Sequence, residues 1–565
     1  MVNRNIQMKK RNNDIWENLF PLTLNENVFN NEGIDLDTQF DGLNSQLDDL
    51  NTQLKQQIDN EIASVENNIT NVENDLNDYI DKTGIINLKD YDPAGDGLTD
   101  DTNVFEQAIT KATNENKTLF VPSGKYAVNQ IKITIGLLLG KNVEFVFNGD
   151  PSDYLLQIET NNYSFGNLVL NGDNKDGTLL RIFGSDNKFN SIELKNIELS
   201  TTTPRHVFGV MVGGDNNYIN YINGYNLKNN NYSNESFPQA VLSEGFGNVF
   251  NTIKLKDVAS GLVTANKNEN VTETKVNNLD ITNASDNGIY NLSKSSLIVL
   301  NVSYNGNEEP GVFMGENVYI DNFVITGSVS RIGFQNVKNI RINNLHLQLD
   351  DEGRGANAIF RTRSGHELTQ RISIGEISGE LESDRPGCQL FLLNGGTIKY
   401  LTIEKLNVIH NYRSDYSVIN EWASLTAVEQ FKIGSFNVKI VDLSNQFTSS
   451  DRFGMDFPSV IKKSYINELT VEIVNSDGAS YSDATFRGRT LKSENIRTGD
   501  LVLQTNIGPY ARELNYGFKN SMNAEPTGGY FHKGEFYYNQ VVSSSNTIGW
   551  LCIESGSPGT WREIT

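Results

Sequence analysis

The feature that most constrains this chain is a two-strand unit that recurs along it. Its apolar residues follow one pattern: Val318, Ile320, Phe323 and Ile325, then Ile340, Ile342, Leu345 and Leu347. The same pattern returns at Leu401, Ile403, Leu406 and Val408 and at Phe431, Ile433, Phe436 and Val438. Alternation within each half marks a strand with one buried face, and the extra residue between the halves marks a bend. Weaker copies lie around Ile192 and Leu194, Ile222, Ile253 and Leu255, Leu279 and Ile281, Ile372, Ile374 and Ile377, and Ile466, Leu469 and Val471. Irregular intervals near the coil length of repeat proteins read as one solenoid with inserted loops. Asn322, Asn344, Gly375 and Gly434 sit at the bends, where left-handed or tight backbone suits Asn and Gly. A two-sheet sandwich also has short strands, but it does not repeat a two-strand unit.

The entrance to this array is the stretch Leu88 to Val128. Asp96-Gly97 reads as a turn, Asp100, Asp101 and Thr102 as a helix start, and Val104, Phe105, Ala108 and Ile109 as an apolar stripe of helical spacing. Leu119-Phe120-Val121 then forms a buried strand, closed by Pro122 and Gly124 before Tyr126 and Val128 resume alternation. This D-Y-x-x-x-G-D-G-x-x-D-D-T, helix, V-P-x-G-x-Y order resembles the N-terminal signature of the pectate-lyase-like superfamily. Asp92-Pro93 stand where members often have Gly-Ala, which alters the turn and leaves the other elements in place. The resemblance implies an all-β fold, a right-handed parallel β-helix, expected over residues 83–483. A Ca²⁺ loop at Asp92 to Asn103 fails its template, because Ala94 takes the third position and Asn103 replaces the closing Glu. No metal or cofactor is expected.

Before the entrance, Leu36, Phe40, Leu43, Leu47, Leu50 and Leu54 form a heptad seam that continues through Ile58, Ile62, Val65, Ile69, Val72, Leu76 and Tyr79. Consecutive steps of four near Ile58 disturb the phase. A run of this length without Gly or Pro after Gly42 exceeds an ordinary globular helix. It predicts a coiled-coil stalk over residues 34–82, and the isoleucines of its second half favour a homotrimer. Residues 1–33 are poorly periodic and are assigned to attachment on a partner.

The net charge of −23 argues against a nucleic-acid partner, and an anionic glycan would have to meet a local basic patch. No segment has the length of a membrane span, and the N-terminus lacks the continuous apolar core of a secretion signal. Export by lysis or within a particle is therefore expected. Cys388 and Cys552 are too far apart in sequence to set a disulfide or metal framework and are expected to be inert. Residues 484–565 turn Gly- and aromatic-rich and read as a small separate β-rich module for trimerisation or glycan binding. Trp550, Trp561, Tyr530, Tyr537 and Tyr538 either stack on sugars or, as the plainer reading, fill its core.

Adjacent coils stack about 4.8 Å apart, so residues at one offset from equivalent anchors become neighbours. Five residues past Leu345, Ile377 and Leu406 stand Asp350, Glu382 and Asn411; seven past stand Glu352, Asp384 and Arg413. Asp350, Asp351, Glu352, Glu382 and Asp384 are the candidate catalytic carboxylates. Arg354, Arg361, Arg363, Arg385, Asn411, Tyr412 and Arg413 are the candidate substrate-binding residues. Carboxyls about 5 Å apart suit a retaining glycosidase, and those one coil further, at about 9.6 Å, an inverting one. The plainer reading is solvated loop charge. Among the histidines, His346 alternates with Leu345 and Leu347 and points outward as a possible base, whereas His366 and His410 read as ordinary surface residues.

Stalk, β-helix and aromatic β-tail together resemble bacteriophage tail spike and preneck appendage proteins. That resemblance implies a virion protein whose N-terminus joins other tail or baseplate proteins and which acts at the host surface. Its implied activity is endo-acting hydrolysis of a host exopolysaccharide or teichoic acid, without contact to nucleic acid or membrane. Three other readings remain open: a non-catalytic receptor-binding spike, a polysaccharide lyase, and a secreted pectinase-like enzyme.

Overall fold

The computed structural model describes residues 36–150, 153–199, 207–229, 238–266, 271–306, 308–327, 331–350, 358–362, 369–383, 389–393, 397–412, 423–424, 428–442, 452–456, 463–475, 485–489, 496–498, 513–514, 521–522, 525, 536–539, 549–554 and 559–564. The chain divides into two units, Met1–Thr83 and Gly84–Thr565. Within the first, helix α1 spans Leu36–Thr83, a length of about 72 Å. Its seam residues Phe40, Leu43, Leu47, Leu50, Leu54, Ile58, Ile62, Val65 and Val72 are exposed along the single chain. Among the described residues no helix is long and apolar enough to cross a membrane.

The second unit is built around two long parallel ladders, one of 16 and one of 15 strands among the described residues, with chain order alternating between them. Each coil carries one long strand and one short strand, which makes the domain a parallel β-helix. Central long strands are Lys188–Leu199, Tyr218–Asn229, Asn248–Val258, Thr272–Ala284, Ser295–Asn305, Asn317–Gly327, Asn339–Leu349, Thr369–Ser383, Ile398–Tyr412 and Gln430–Asp442. All four strong copies of the apolar unit are buried, and so are the weaker copies from Ile192 to Ile377; the side chains of Ile466, Leu469 and Val471 lie outside the described residues. Coil length is irregular: 21 residues separate Asn301 from Asn322, and 32 separate His346 from Ser378.

The bends work differently from the expectation at two of four positions. Neither Asn322 nor Asn344 has a positive φ. They extend an outer amide ladder instead, in which Asn322 Nδ2 donates to Asn301 Oδ1 at 3.0 Å and Asn344 Nδ2 to Asn322 Oδ1 at 2.9 Å. Gly375 and Gly434 meet a steric demand, since a Cβ would lie 2.5 Å from the Asn343 carbonyl oxygen and 2.1 Å from that of Glu404. Left-handed corners occur in the earlier coils, at Asn196, Asn226, Asp257 and Asn283.

Inside, two polar or aromatic columns supplement the aliphatic stack. Asn217 Oδ1 accepts from the Asn187 N–H at 3.1 Å and Asn248 Oδ1 from the Asn217 N–H at 2.9 Å, so these buried amides satisfy the turns between coils. Further along, Phe334, Phe360 and Phe391 stack with centroids 6.0 and 4.9 Å apart.

At the entrance, helix α2 (Thr102–Asn114) buries Phe105, Ala108, Ile109 and Ala112. Asp101 precedes it without capping it through its side chain. The buried carboxylate instead accepts from the N–H groups of Ala94 at 2.7 Å and Gly95 at 3.2 Å, tying the preceding loop to the helix. Burial pushes its carboxyl up, against those two hydrogen bonds. Asp96 accepts from Leu98, Thr99 N–H and the Thr99 hydroxyl, which together hold its carboxyl low and close the turn. Tyr126 donates to the Pro122 carbonyl at 2.8 Å and packs edge-on against Phe105. The entrance motif is thus a packed structural cap.

Parallel pairing runs past the expected break at residue 484, through Thr485–Arg489, Ile496–Thr498 and Glu513–Leu514. Ladder hydrogen bonds join backbones and tolerate a weakened apolar pattern. The last four strands, from Ser521–Met522 to Thr560–Ile564, form their own sheet with two antiparallel pairs. Trp550 and Cys552 are buried there.

Candidate functional site

Alternation after the bend at Asn344 puts Leu345, Leu347 and Leu349 into the core and His346, Gln348 and Asp350, with Asn344, on the outer face. Thr369–Ser383 and Ile398–Tyr412 follow in register: Leu345 pairs with Ile377, and Ile377 with Leu406. The outer face of these coils therefore carries two continuous rows. One runs Asn322, Asn344, Glu376, Lys405; the other runs Val324, His346, Ser378, Asn407. Between them lies an open groove of about 140 Å³, lined by Asn322, Val324, Asn344, His346, Glu376 and Ser378. His346 Nδ1 lies 3.3 Å from Ser378 Oγ, and Lys405 Nζ donates to Glu376 Oε1 at 2.7 Å.

The acidic candidates continue this strip beyond the groove. Glu382 pairs in register with Asn411, and Asp350 directly follows Leu349, which pairs with Leu381. Asp350 and Glu382 thus stand on neighbouring coils, one strand spacing of about 4.8 Å apart along the axis. Asp350 is exposed and Glu382 half-buried. Asn411 Nδ2 donates to Glu380 Oε1. Asp351, Glu352, Asp384, Arg354, Arg363, Arg385 and Arg413, with the side chain of Tyr412, lie outside the described residues.

Arg361 belongs to the other ladder, between Gly333 and Leu392, and so stands on a different wall from Glu382. His346 is exposed as expected, and His366 lies outside the described residues. His410 is not a surface residue. Alternation carries Leu406 and Val408 inward and His410 with them, leaving it buried between Leu381 and Ile440. Burial pushes its imidazole down to about 4. Glu376, Ser378, Glu380 and Lys405 were not selected from the sequence. The same ruler finds the first two and Lys405 when read one residue to either side of each anchor.

A second polar cluster sits at the other end of the same long ladder. Glu144 accepts from Asn171 Nδ2 at 2.9 Å and pairs with Lys195 at 3.2 Å. Burial works against its charge, but those contacts and the ammoniums of Lys195 and Lys125 outweigh it and hold the carboxyl low. Tyr225 donates to Glu193 Oε1 at 3.0 Å. Among the described residues no group of three or more His, Cys, Asp or Glu side chains is arranged to hold a metal ion.

Residues 85–313 match the family model described as rhamnogalacturonase A/epimerase, pectate lyase-like. No curated protein and no solved structure is significantly similar to the chain.

Proposed function

We propose that this chain is a spike of the phage tail type that binds a host surface polysaccharide and hydrolyses it internally. The observation that carries the reading is the register Leu349 to Leu381, which sets the next residues, Asp350 and Glu382, on neighbouring coils. The pectate lyase-like match supports a polysaccharide as the substrate class. In the proposed reaction one carboxylic acid protonates the glycosidic oxygen while the other, ionised, attacks the anomeric carbon or activates water. A separation of about 5 Å favours direct attack and retention of configuration. By their sequence offsets Asp351, Glu352 and Asp384 are further candidate carboxylates, with Asn411, Tyr412, Arg354, Arg385 and Arg413 as candidate substrate contacts. The exposed heptad seam of α1 supports a homotrimeric stalk, with residues 1–33 joining the virion.

The test is release of new reducing ends from host surface polymer by the purified full chain. Asp350→Asn and Glu382→Gln are each expected to lower the rate by about 10²–10⁴-fold. Unchanged cleavage in both removes this site. Saturable binding without shortening selects the receptor-binding reading. The exposed His346 beside Ser378 favours one further alternative, a lyase with His346 as base; ultraviolet-absorbing unsaturated ends, lost in His346→Ala, would select it. Sedimentation of the full chain at three times its monomer mass tests the stalk.

A further inference from the structure

The outer face of Tyr218–Asn229 and Asn248–Val258 contrasts with the net charge of −23 carried by the whole chain. Tyr218 and Tyr221 stand 40% and 36% exposed, with Tyr225 further along the same strand. In register beside them, Lys254 neighbours Asn223 and Lys256 neighbours Tyr225. Both lysines are exposed and make no ion pair among the described residues. The only carboxylate on the two strands is Asp257, and its Oδ1 is occupied by Asn283 Nδ2 at 3.0 Å. On the flanking coils, Glu193 is engaged by Tyr225 and Lys195, and Asp280 stands next to Lys254 in register.

We infer that this face is a docking platform for an anionic glycan, a polymer bearing carboxylate or phosphate groups along a sugar or polyol backbone. Tyrosine faces take the apolar faces of the repeat units, and the two ammoniums, unpaired among the described residues, take its charges. A neutral glycan would leave the lysines unused. The platform also has a direction. Lys254, Asp280, Ser303, Val324 and His346 occupy one outward lane. Four strand spacings, about 19 Å, separate Lys254 from the His346 groove. A polymer lying along the axis would be gripped at one end and presented to the acidic strip at the other. The sugar component of this ligand rests on the proposed function; its charge does not.

The test titrates the full chain with polygalacturonate, with poly(glycerol phosphate) and with neutral dextran, following binding and reducing ends in the same samples. Binding of either polyanion is expected, weakening as salt rises from about 0.05 to about 0.2 M, with dextran not bound; the tighter polyanion identifies the charged group. Lys254→Glu with Lys256→Glu should weaken binding at least tenfold. Lys254→Gln with Lys256→Gln should do so by less, and Tyr221→Ala should weaken binding without changing its salt dependence. No polyanion binding, equal binding of dextran, or unchanged affinity in both lysine variants that melt like the parent would overturn the platform. Polyanion binding by a chain that releases no reducing ends from host surface polymer would leave the platform standing and remove the hydrolase reading.

Discussion

The coils around Tyr218–Val258 and those around Asn339–Tyr412 share one construction and present opposite chemistry. In both, inward aliphatics stack in register and the outer face is free to vary. The first region offers tyrosines and two lysines without an ion pair among the described residues; the second offers Asp350, Glu376, Glu380, Glu382 and a histidine, with Lys405 paired to Glu376. The family-model match, residues 85–313, covers the first and stops before the second. They also differ in how they are held. Left-handed Asn226 and Asp257 turn the early strands, and buried amides of Asn217 and Asn248 join their coils. The later coils depend on Gly379 and on stacked phenylalanines. A solenoid separates the demands of its core from those of its surface, so a surface can change sign along the axis without changing the fold.

Four changes test this contrast, beginning with the largest effect. Gly379 has φ 132°, and a Cβ there would lie 1.9 Å from the Leu347 carbonyl oxygen. Gly379→Ala is expected to cost about 5 kcal/mol, and hydrogen exchange should show lost protection over 339–412 with protection over 218–258 retained. Equal loss in both regions would mean the two ends are not separable. Phe360→Ala, in the aromatic column of the short-strand ladder, should cost about 4 kcal/mol, whereas Phe360→Leu should cost under about 1.5 kcal/mol. Similar losses for the two would point to ring stacking in place of filled volume.

The third effect depends on pH. The His410 value of about 4 lies below that of an unfolded histidine, so the folded state favours the neutral ring. The associated stability is complete above about pH 6.5 and is lost as pH falls from there toward 4, on the order of 3 kcal/mol in all. His410→Met should flatten that part of the denaturation profile; parallel profiles for the two proteins would refute it. The smallest effect lies at the other end. The depressed carboxyl of Glu144 stabilises the fold above about pH 4.5, and the gain fades as pH falls through its folded value. Glu144→Gln should therefore cost about 1 kcal/mol near neutrality, and the difference should vanish in acid.

Much of the scaffold was readable in the sequence because its signals are local. Val318 to Val438 announce their inward faces by alternation, α1 by its heptads, and the entrance by Tyr126 and its glycines. The ruler from Leu345 through Ile377 to Leu406 also holds, and it correctly aligned Glu382 with Asn411. Offsets of five and seven pass over Glu376 and Ser378, which stand one residue to either side of Ile377. His410 reads as a surface residue by its polarity, but the alternation it continues from Leu406 and Val408 turns it inward. Asp101 was read as a helix cap, whereas its carboxylate turns back to Ala94 and Gly95.

The sequence by itself determined which residues face inward and where the array begins, since a period of two and a heptad each need only a few neighbours in the chain. Only the tertiary structure decided which outward residues share a lane. Coils of 19 to 33 residues among the described strands of the two long ladders make sequence separation a poor guide to distance. Ladder hydrogen bonds set the lateral register, bringing Tyr225 beside Lys256 and His346 beside Ser378.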